Sequence, residues 1–268
     1  GDVYKRQLYN NLPFLFDMVG DLHSGLRYLK QAHTALYQEE MVETALGAEV
    51  LNNLAEWHKA LGNMEPVRQL HEQALTIRQA LLPPDHLSIA ESQLNLGSAF
   101  ADEQSFDQAR NALRKALLIA ERSGGPQHDI ALAARNHLAL VLFGQERYEE
   151  AVQQFEELLE ISAAAFGRDD PRTVTVHNNI ASIYGRLGNY AGAIQEFNQV
   201  VASFTGRMGA EHPDTLKARL NAARARILGK IDCENACQEL RTLLLLLESA
   251  FGSKHMIVEI ARTTLEEC

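Results

Sequence analysis

The triplet Asn179-Ile180-Ala181 recurs at a spacing of 42 residues through the chain. Positions 11, 53, 95, 137, 179 and 221 stand on one grid without a gap. Five of these six are Asn, and five of the six residues that follow them are Leu or Ile. A fixed period of this size means stacked supersecondary units. Such a unit cannot bury its apolar side alone and packs on its neighbours. The period therefore outweighs length as a guide, although 268 residues could otherwise make two globular domains.

Each period reads as two helices, A and B. Gly62-Asn63 and Gly188-Asn189 are turn dipeptides that stop one helix and start the next. A second break closes the period: Pro83-Pro84-Asp85-His86, Gly124-Gly125-Pro126, Gly167 to Pro171, and Gly209 to Asp214. The pattern predicts A helices at about 3–19, 43–61, 85–103, 127–145, 171–187 and 213–228. Their B partners fall at about 22–37, 65–82, 106–122, 148–166, 190–208 and 232–251. Pro13 is expected to kink the first of them. Phe166-Gly167 recurs as Met208-Gly209 after 42 residues but as Phe251-Gly252 only after a further 43. This places one inserted residue in the turn Gly229-Lys230-Ile231-Asp232. A last helix starts near Lys254, and the chain stops in mid-pattern at Cys268. Residues 1–7 read as a non-native tail, a translated adapter sequence; if native, they form the first helical turn.

The composition agrees with helix pairs: 46% of residues are apolar, and good helix formers dominate. The net charge of −10 argues against non-specific nucleic-acid binding. No apolar run reaches the ~18 residues of a membrane span, so no membrane partner is expected. Three Cys without a framework fit a reducing, cytoplasmic compartment.

The residues Asn179-Ile180-Ala181, Tyr184, Gly188, Tyr190, Ala193 and Phe197 resemble the tetratricopeptide repeat, as do Phe106, Ala109, Leu113 and Ala116. The usual repeat in that family has about 34 residues. The longer form here, with His212-Pro213-Asp214-Thr215 opening a helix, is similar to that of kinesin light chains and many bacterial proteins. The resemblance implies an all-α fold, an α-solenoid (right-handed superhelix) of antiparallel helix pairs. It implies a single solenoid over 1–268, with six helix-turn-helix repeats and a partial C-terminal helix. It also implies a non-catalytic protein-protein interaction scaffold that binds a peptide or helical segment in a concave groove lined by the A helices. The alternative is a regulatory or sensor segment of a larger signalling protein whose effector domain lies elsewhere.

Leu54, Leu96, Leu138 and Ile180 form an interior column, with Ala55, Gly97, Ala139 and Ala181 beside them. Residues 3, 4 and 7 apart share a helix face. This gives a candidate peptide-binding set of Asn53, Asn95, Asn136, His137, Asn178, Asn179, Ser182, Arg186, Lys217, Asn221 and Arg224. An amide offers donors and an acceptor, so the Asn column can pair with a ligand backbone or bridge neighbouring repeats. The ladder's acids, Glu49, Glu56, Glu91 and Asp102, outnumber Lys59, whereas Arg186, Lys217 and Arg224 form a basic end. Acidic residues in the partner would suit that end, unless Glu196 and its like neutralise it. Co-chaperone members of the family hold a carboxylate with Lys beside Asn. Here the preceding column is Asn52, Leu94, Asn136, Asn178 and Leu220, which argues against a chaperone tail.

No catalytic, metal or cofactor site is expected. His86, His128 and His212 precede helices and read as caps, while His58 and His71 fall in packed columns. Cys233 and Cys237 read as small buried residues, because two zinc ligands would need two more. No phosphate-binding Gly-rich loop or metalloprotease His-Glu-x-x-His run occurs.

Overall fold

The computed structural model describes residues 22–268. The expected first helix, Pro13, Asn11 and the tail at 1–7 lie outside them. The described residues form twelve helices. They are α1 (Leu22–Gln38), α2 (Ala45–Ala60), α3 (Val67–Leu81), α4 (Leu87–Asp102), α5 (Phe106–Gly124) and α6 (Asp129–Gly144). Then come α7 (Tyr148–Phe166), α8 (Pro171–Arg186), α9 (Tyr190–Met208), α10 (Pro213–Leu228), α11 (Cys233–Phe251) and α12 (Met256–Glu266). Every expected helix from 22 onward is present, its ends within a few residues. The chain forms two compact units that meet in sequence between Gln145 and Glu146. The first contains α1 to α6 and the second α7 to α12.

Local chemistry repeats with the period. The residues before the A helices are Thr44, His86, His128, Asp170, His212 and His255, and each side chain accepts a backbone N–H of the first turn. The His caps are as expected. Each uses ring Nδ1 as acceptor, at 3.1 Å from Ser88 N, 3.2 Å from Ile130 N, 3.3 Å from Asp214 N and 3.2 Å from Ile257 N. They satisfy donors that the helix itself leaves open.

The A-to-B turn needs one left-handed residue. Gly62, Gln104, Glu146, Gly188 and Lys230 all have positive φ there, and they stand 42 apart. Only two are Gly. The inserted residue of the last turn appears as a second left-handed residue, Asp232 at φ 53°. The B helices α5, α7, α9 and α11 end on Gly125, Gly167, Gly209 and Gly252, again with positive φ.

In the first unit, Leu29, Leu36, Leu54 and Trp57 form one buried cluster, and Ala109, Leu113 and Val141 another. A Cβ on Gly97 would lie 2.6 Å from Leu113 Cγ, so the missing side chain lets α4 and α5 approach. Phe106 covers the end of α6, where a Cβ on Gly144 would fall 2.8 Å from its ring. In the second unit, Leu216, Leu240, Leu243 and Leu247 form the largest cluster. Tyr190 packs against α10's C-terminus in the way Phe106 packs on α6, with a Gly229 Cβ placed 2.4 Å from Tyr190 Cβ.

Three expectations are corrected. Leu138 leaves the fully buried column: it is half-buried against the Ala109 cluster, and Val141 takes the buried place on α6. Leu220, assigned to the groove-lining columns, lies in the core of the second unit at 2% exposure. The cysteines do have a framework, because Cys237 is disulfide-bonded to Cys268, leaving Cys233 free. The helix α12 runs back along α11 and brings the two sulfurs together. The reading of a reducing compartment loses its support. No helix among the described residues is long and apolar enough to cross a membrane.

Candidate functional site

In the first unit the A helices α2, α4 and α6 carry Asn53, Asn95, Asn136 and His137, all half-buried. Asn53 and Asn136 already engage other groups in the fold. Asn52, one residue before Asn53, is buried and accepts from His71 Nδ1 at 2.9 Å. The other ring nitrogen of His71 lies 3.4 Å from Glu56 Oε1. This contact, with neighbouring positive charge, holds the Glu56 carboxyl below its usual range despite partial burial. Burial pushes the His137 imidazole down, reinforced by Lys59, against the opposing pull of Asp102 and Glu56.

The acid surplus expected for this unit is largely neutralised. Lys59 Nζ lies 2.6 Å from Asp102 Oδ2 and 3.0 Å from Ser98 Oγ. Arg78 reaches from α3 to Glu91 on α4 at 2.9 Å, and to the Ser88 carbonyl at 2.7 Å. His71 serves Glu56. Sequence spacing could not show these pairs, because they join different helices.

The second unit differs. Ser182, Gly185 and Arg186 on α8 face Asn221, Arg224 and Leu228 on α10 across a cavity of about 380 Å³. Its remaining wall is Ala181, Tyr190, Phe197 and Ala225. Four of the candidate residues, Ser182, Arg186, Asn221 and Arg224, are thus brought together. Asn178 contributes its carbonyl, which accepts the Ser182 hydroxyl proton at 2.8 Å. Asn179 lies one residue on, half-buried, with contacts of its own within the fold.

Lys217 does not join them. Its Nζ lies 3.0 Å from Asp214 Oδ1 and 5.3 Å from the ring centre of Phe251. The flanking arginines are also occupied: Arg219 reaches Glu239 at 3.4 Å, and Arg226 pairs with the same carboxylate. Glu196, expected to neutralise the basic end, pairs with His177 at 2.5 Å instead. His177 to Glu196 and Arg219 to Glu239 are equivalent contacts once the inserted residue is counted, each joining an A helix to its own B helix.

Arg186 and Arg224 have no acidic partner among the described residues. Arg224 Nε is buried and donates to nothing there. A buried donor left open costs about 1–3 kcal/mol. Gly185 is the other unusual feature. It sits in the last turn of α8 with ordinary helical backbone, and a Cβ on it would meet nothing within 4 Å. Neither backbone geometry nor packing requires glycine, yet a side chain there would enter the cavity. The corresponding residues of the other periods are Asp17, Lys59, Ala101, Phe143 and Ile227.

Family profiles described as tetratricopeptide repeat match residues 48–88, 88–164 and 129–206. Together these cover more than half of the 268 residues. No curated protein matches the chain. Among solved structures, the chain is similar to a Rap protein complexed with Competence and Sporulation Factor. The TM-score is 0.68 at 16% identity, over 100% of this chain and 77% of that one. It is similar to BtubC (BKLC) from P. vanneervenii, with a TM-score of 0.66 at 20% identity over 87% of this chain and 92% of that one. It is similar to a Podosopora anserina kinesin light chain with nearly identical TPR-like repeats. That TM-score is 0.62 at 21% identity, over 76% and 98% of the two chains. These likenesses establish the all-α solenoid fold. The chain belongs to the tetratricopeptide repeat family, with repeats of the kinesin-light-chain kind.

Proposed function

We propose that the A-helix side of the second unit holds a peptide or helical segment of a protein partner, and that this segment carries acidic residues. One observation carries the reading: two guanidinium groups without acidic partners, among the described residues, line one cavity between α8 and α10. A planar guanidinium binds a carboxylate through two parallel hydrogen bonds, and it remains charged at any physiological pH. Asn221 lies beside the two arginines, and its amide can both donate to and accept from a peptide backbone. Tyr190 and Phe197 supply apolar wall for the stem of the bound side chain. A Rap protein of the same fold, complexed with Competence and Sporulation Factor, makes partner binding a natural use of such an array.

The test is fluorescence anisotropy against an arrayed peptide set in which Asp and Glu content varies independently of hydrophobicity. Acidic peptides are expected to bind best. Arg186→Gln with Arg224→Gln should weaken that binding by about tenfold or more and flatten its salt dependence. Asn221→Ala should weaken binding without changing the salt slope. If the double Arg variant selects the same peptides with the same affinity, the assignment of this surface is wrong.

A further inference from the structure

The same cavity has features that a carboxylate alone does not use. Its lining contains two arginines and no acid. The nearby carboxylates are committed elsewhere. Glu239 serves Arg219 and Arg226, Glu196 serves His177, Asp214 serves Lys217, and Glu156 accepts from the Tyr184 hydroxyl at 3.2 Å. Two positive charges therefore stand uncompensated at one place. A carboxylate neutralises one of them. A phosphoryl group carries about −1.5 to −2 charges near neutral pH and three strong acceptor oxygens.

The donors fit the larger anion. Each guanidinium offers up to five N–H groups, and the Arg224 Nε proton is buried without an acceptor among the described residues. Asn221 adds its amide. Ser182 adds no donor as placed, since its hydroxyl proton goes to the Asn178 carbonyl. Space is available because position 185 is glycine: even a methyl group there would point into otherwise open volume.

We infer that the cavity between α8 and α10 receives a phosphoryl group borne by a side chain of the partner segment, in preference to a carboxylate. The inference rests on the peptide reading of this surface. It makes partner binding at this face switchable by phosphorylation of the partner.

The experiment is an NMR titration of the full chain, following the arginine Nε–Hε signals. The probes are two matched pairs: inorganic phosphate against acetate, and phenyl phosphate against phenylacetate. The phosphoryl member of each pair is expected to move the Arg224 signal and to bind at least about tenfold more tightly. Its binding should strengthen as pH rises through about 6, where the second phosphate proton leaves. Phosphoserine and phosphotyrosine versions of one acidic peptide then identify the source, the aromatic one being favoured if Tyr190 and Phe197 pack on its ring. Arg224→Gln and Gly185→Leu should each abolish the difference within a pair. The second variant leaves both arginines in place and adds a strong helix former, with helical content checked by circular dichroism. Equal or tighter binding of the carboxylate members would overturn the phosphoryl inference and leave the acidic-peptide reading standing. No response of the Arg224 signal to any probe would overturn both. Unchanged binding in Gly185→Leu would show that the anion sits outside the cavity and would also overturn the inference.

Discussion

Gly97 lies directly beneath Leu113, so close that a Cβ on the glycine would sit 2.6 Å from Leu113 Cγ and 2.7 Å from its Cδ2. Gly185 has no such neighbour within 4 Å. Two helical glycines therefore predict opposite effects. Gly97→Ala should destabilise the chain by about 1–3 kcal/mol through overpacking, despite alanine's better helix propensity. Gly185→Ala should stabilise it by up to about 1 kcal/mol. Urea denaturation midpoints test the pair, and equal shifts would contradict the packing described for α4 and α5.

The left-handed turn position predicts gains from glycine. Gln104 and Glu146 adopt φ 59° and 60°, where the period has Gly62 and Gly188 elsewhere. A left-handed conformation costs a residue with a Cβ roughly 1–2 kcal/mol, while glycine adds unfolded-state entropy that offsets part of the gain. Gln104→Gly and Glu146→Gly should each raise stability by a net of up to about 1 kcal/mol. Gly188→Ala should lower it. Thermal melts of the three single variants decide this.

How much of this was legible in the sequence depends on the kind of contact. The period, the helix pairs, the His caps and the insertion in the last turn were readable, because each rests on local geometry repeated at one spacing. Leu54, Leu96 and Ile180 were correctly placed inside for the same reason. The pairing of Lys59 with Asp102, of Arg78 with Glu91 and of Arg219 and Arg226 with Glu239 was not readable. These side chains are long and choose partners on another helix, so residue type and column leave the choice open. The cavity was half legible. Ser182, Arg186, Asn221 and Arg224 stand in columns that the period defines, whereas Tyr190 and Phe197 enter the sequence reading only as residues of the repeat motif. Lys217 shares the column of the site residues, but Asp214 and Phe251 hold it away. The Cys237 to Cys268 bond was missed since the two residues are 31 apart and meet only through the return of α12.

Acid should weaken the first unit through two imidazoles. Burial pushes both His58 and His137 down, with Lys30 and Lys59 respectively adding to the effect. Their folded forms therefore stay neutral where the unfolded chain takes up protons. Stability is complete above the ordinary His range near 6.5, and it falls as pH drops through that range until the depressed folded values are reached. His137→Asn, which restores the residue found at that position in the neighbouring periods, should reduce the slope of unfolding free energy against pH below about 6.5. An unchanged slope would mean that His137 is not the titrating group.

At lower pH the cap of α8 contributes. Asp170 accepts from the Arg172 backbone N–H at 3.0 Å and from its Nε at 2.8 Å. The Arg172 side chain is the main reason that the Asp170 carboxyl is held down at about 2. A depressed carboxylate adds stability above its unfolded value, near 3.9, and this is lost as pH falls through about 2. Asp170→Asn should keep much of the cap but flatten the stability profile between about pH 4 and 2. Chemical denaturation across that window measures it.

The disulfide predicts a redox dependence of the second unit. Cross-linking residues 31 apart restricts the unfolded chain, by an amount on the order of 3–4 kcal/mol in the chain-entropy account. Dithiothreitol should lower the urea midpoint of the wild-type chain but not that of Cys237→Ser with Cys268→Ser. Equal midpoints with and without reductant would show that the bond adds nothing to folding stability.

The last A-to-B turn, with Lys230 and Asp232 both left-handed, has a consequence for rotational phase. A residue added inside a helix turns everything beyond it by about 100° and moves the buried stripe to the surface. The residue added between Gly229 and Asp232 does no such thing. Ala236, Leu240, Leu243 and Leu247 of α11 still point into the core. The turn takes up the extra residue as one more left-handed step, and the buried stripe of α11 is kept. An array built this way can change its length at such turns while every later face keeps its bearing.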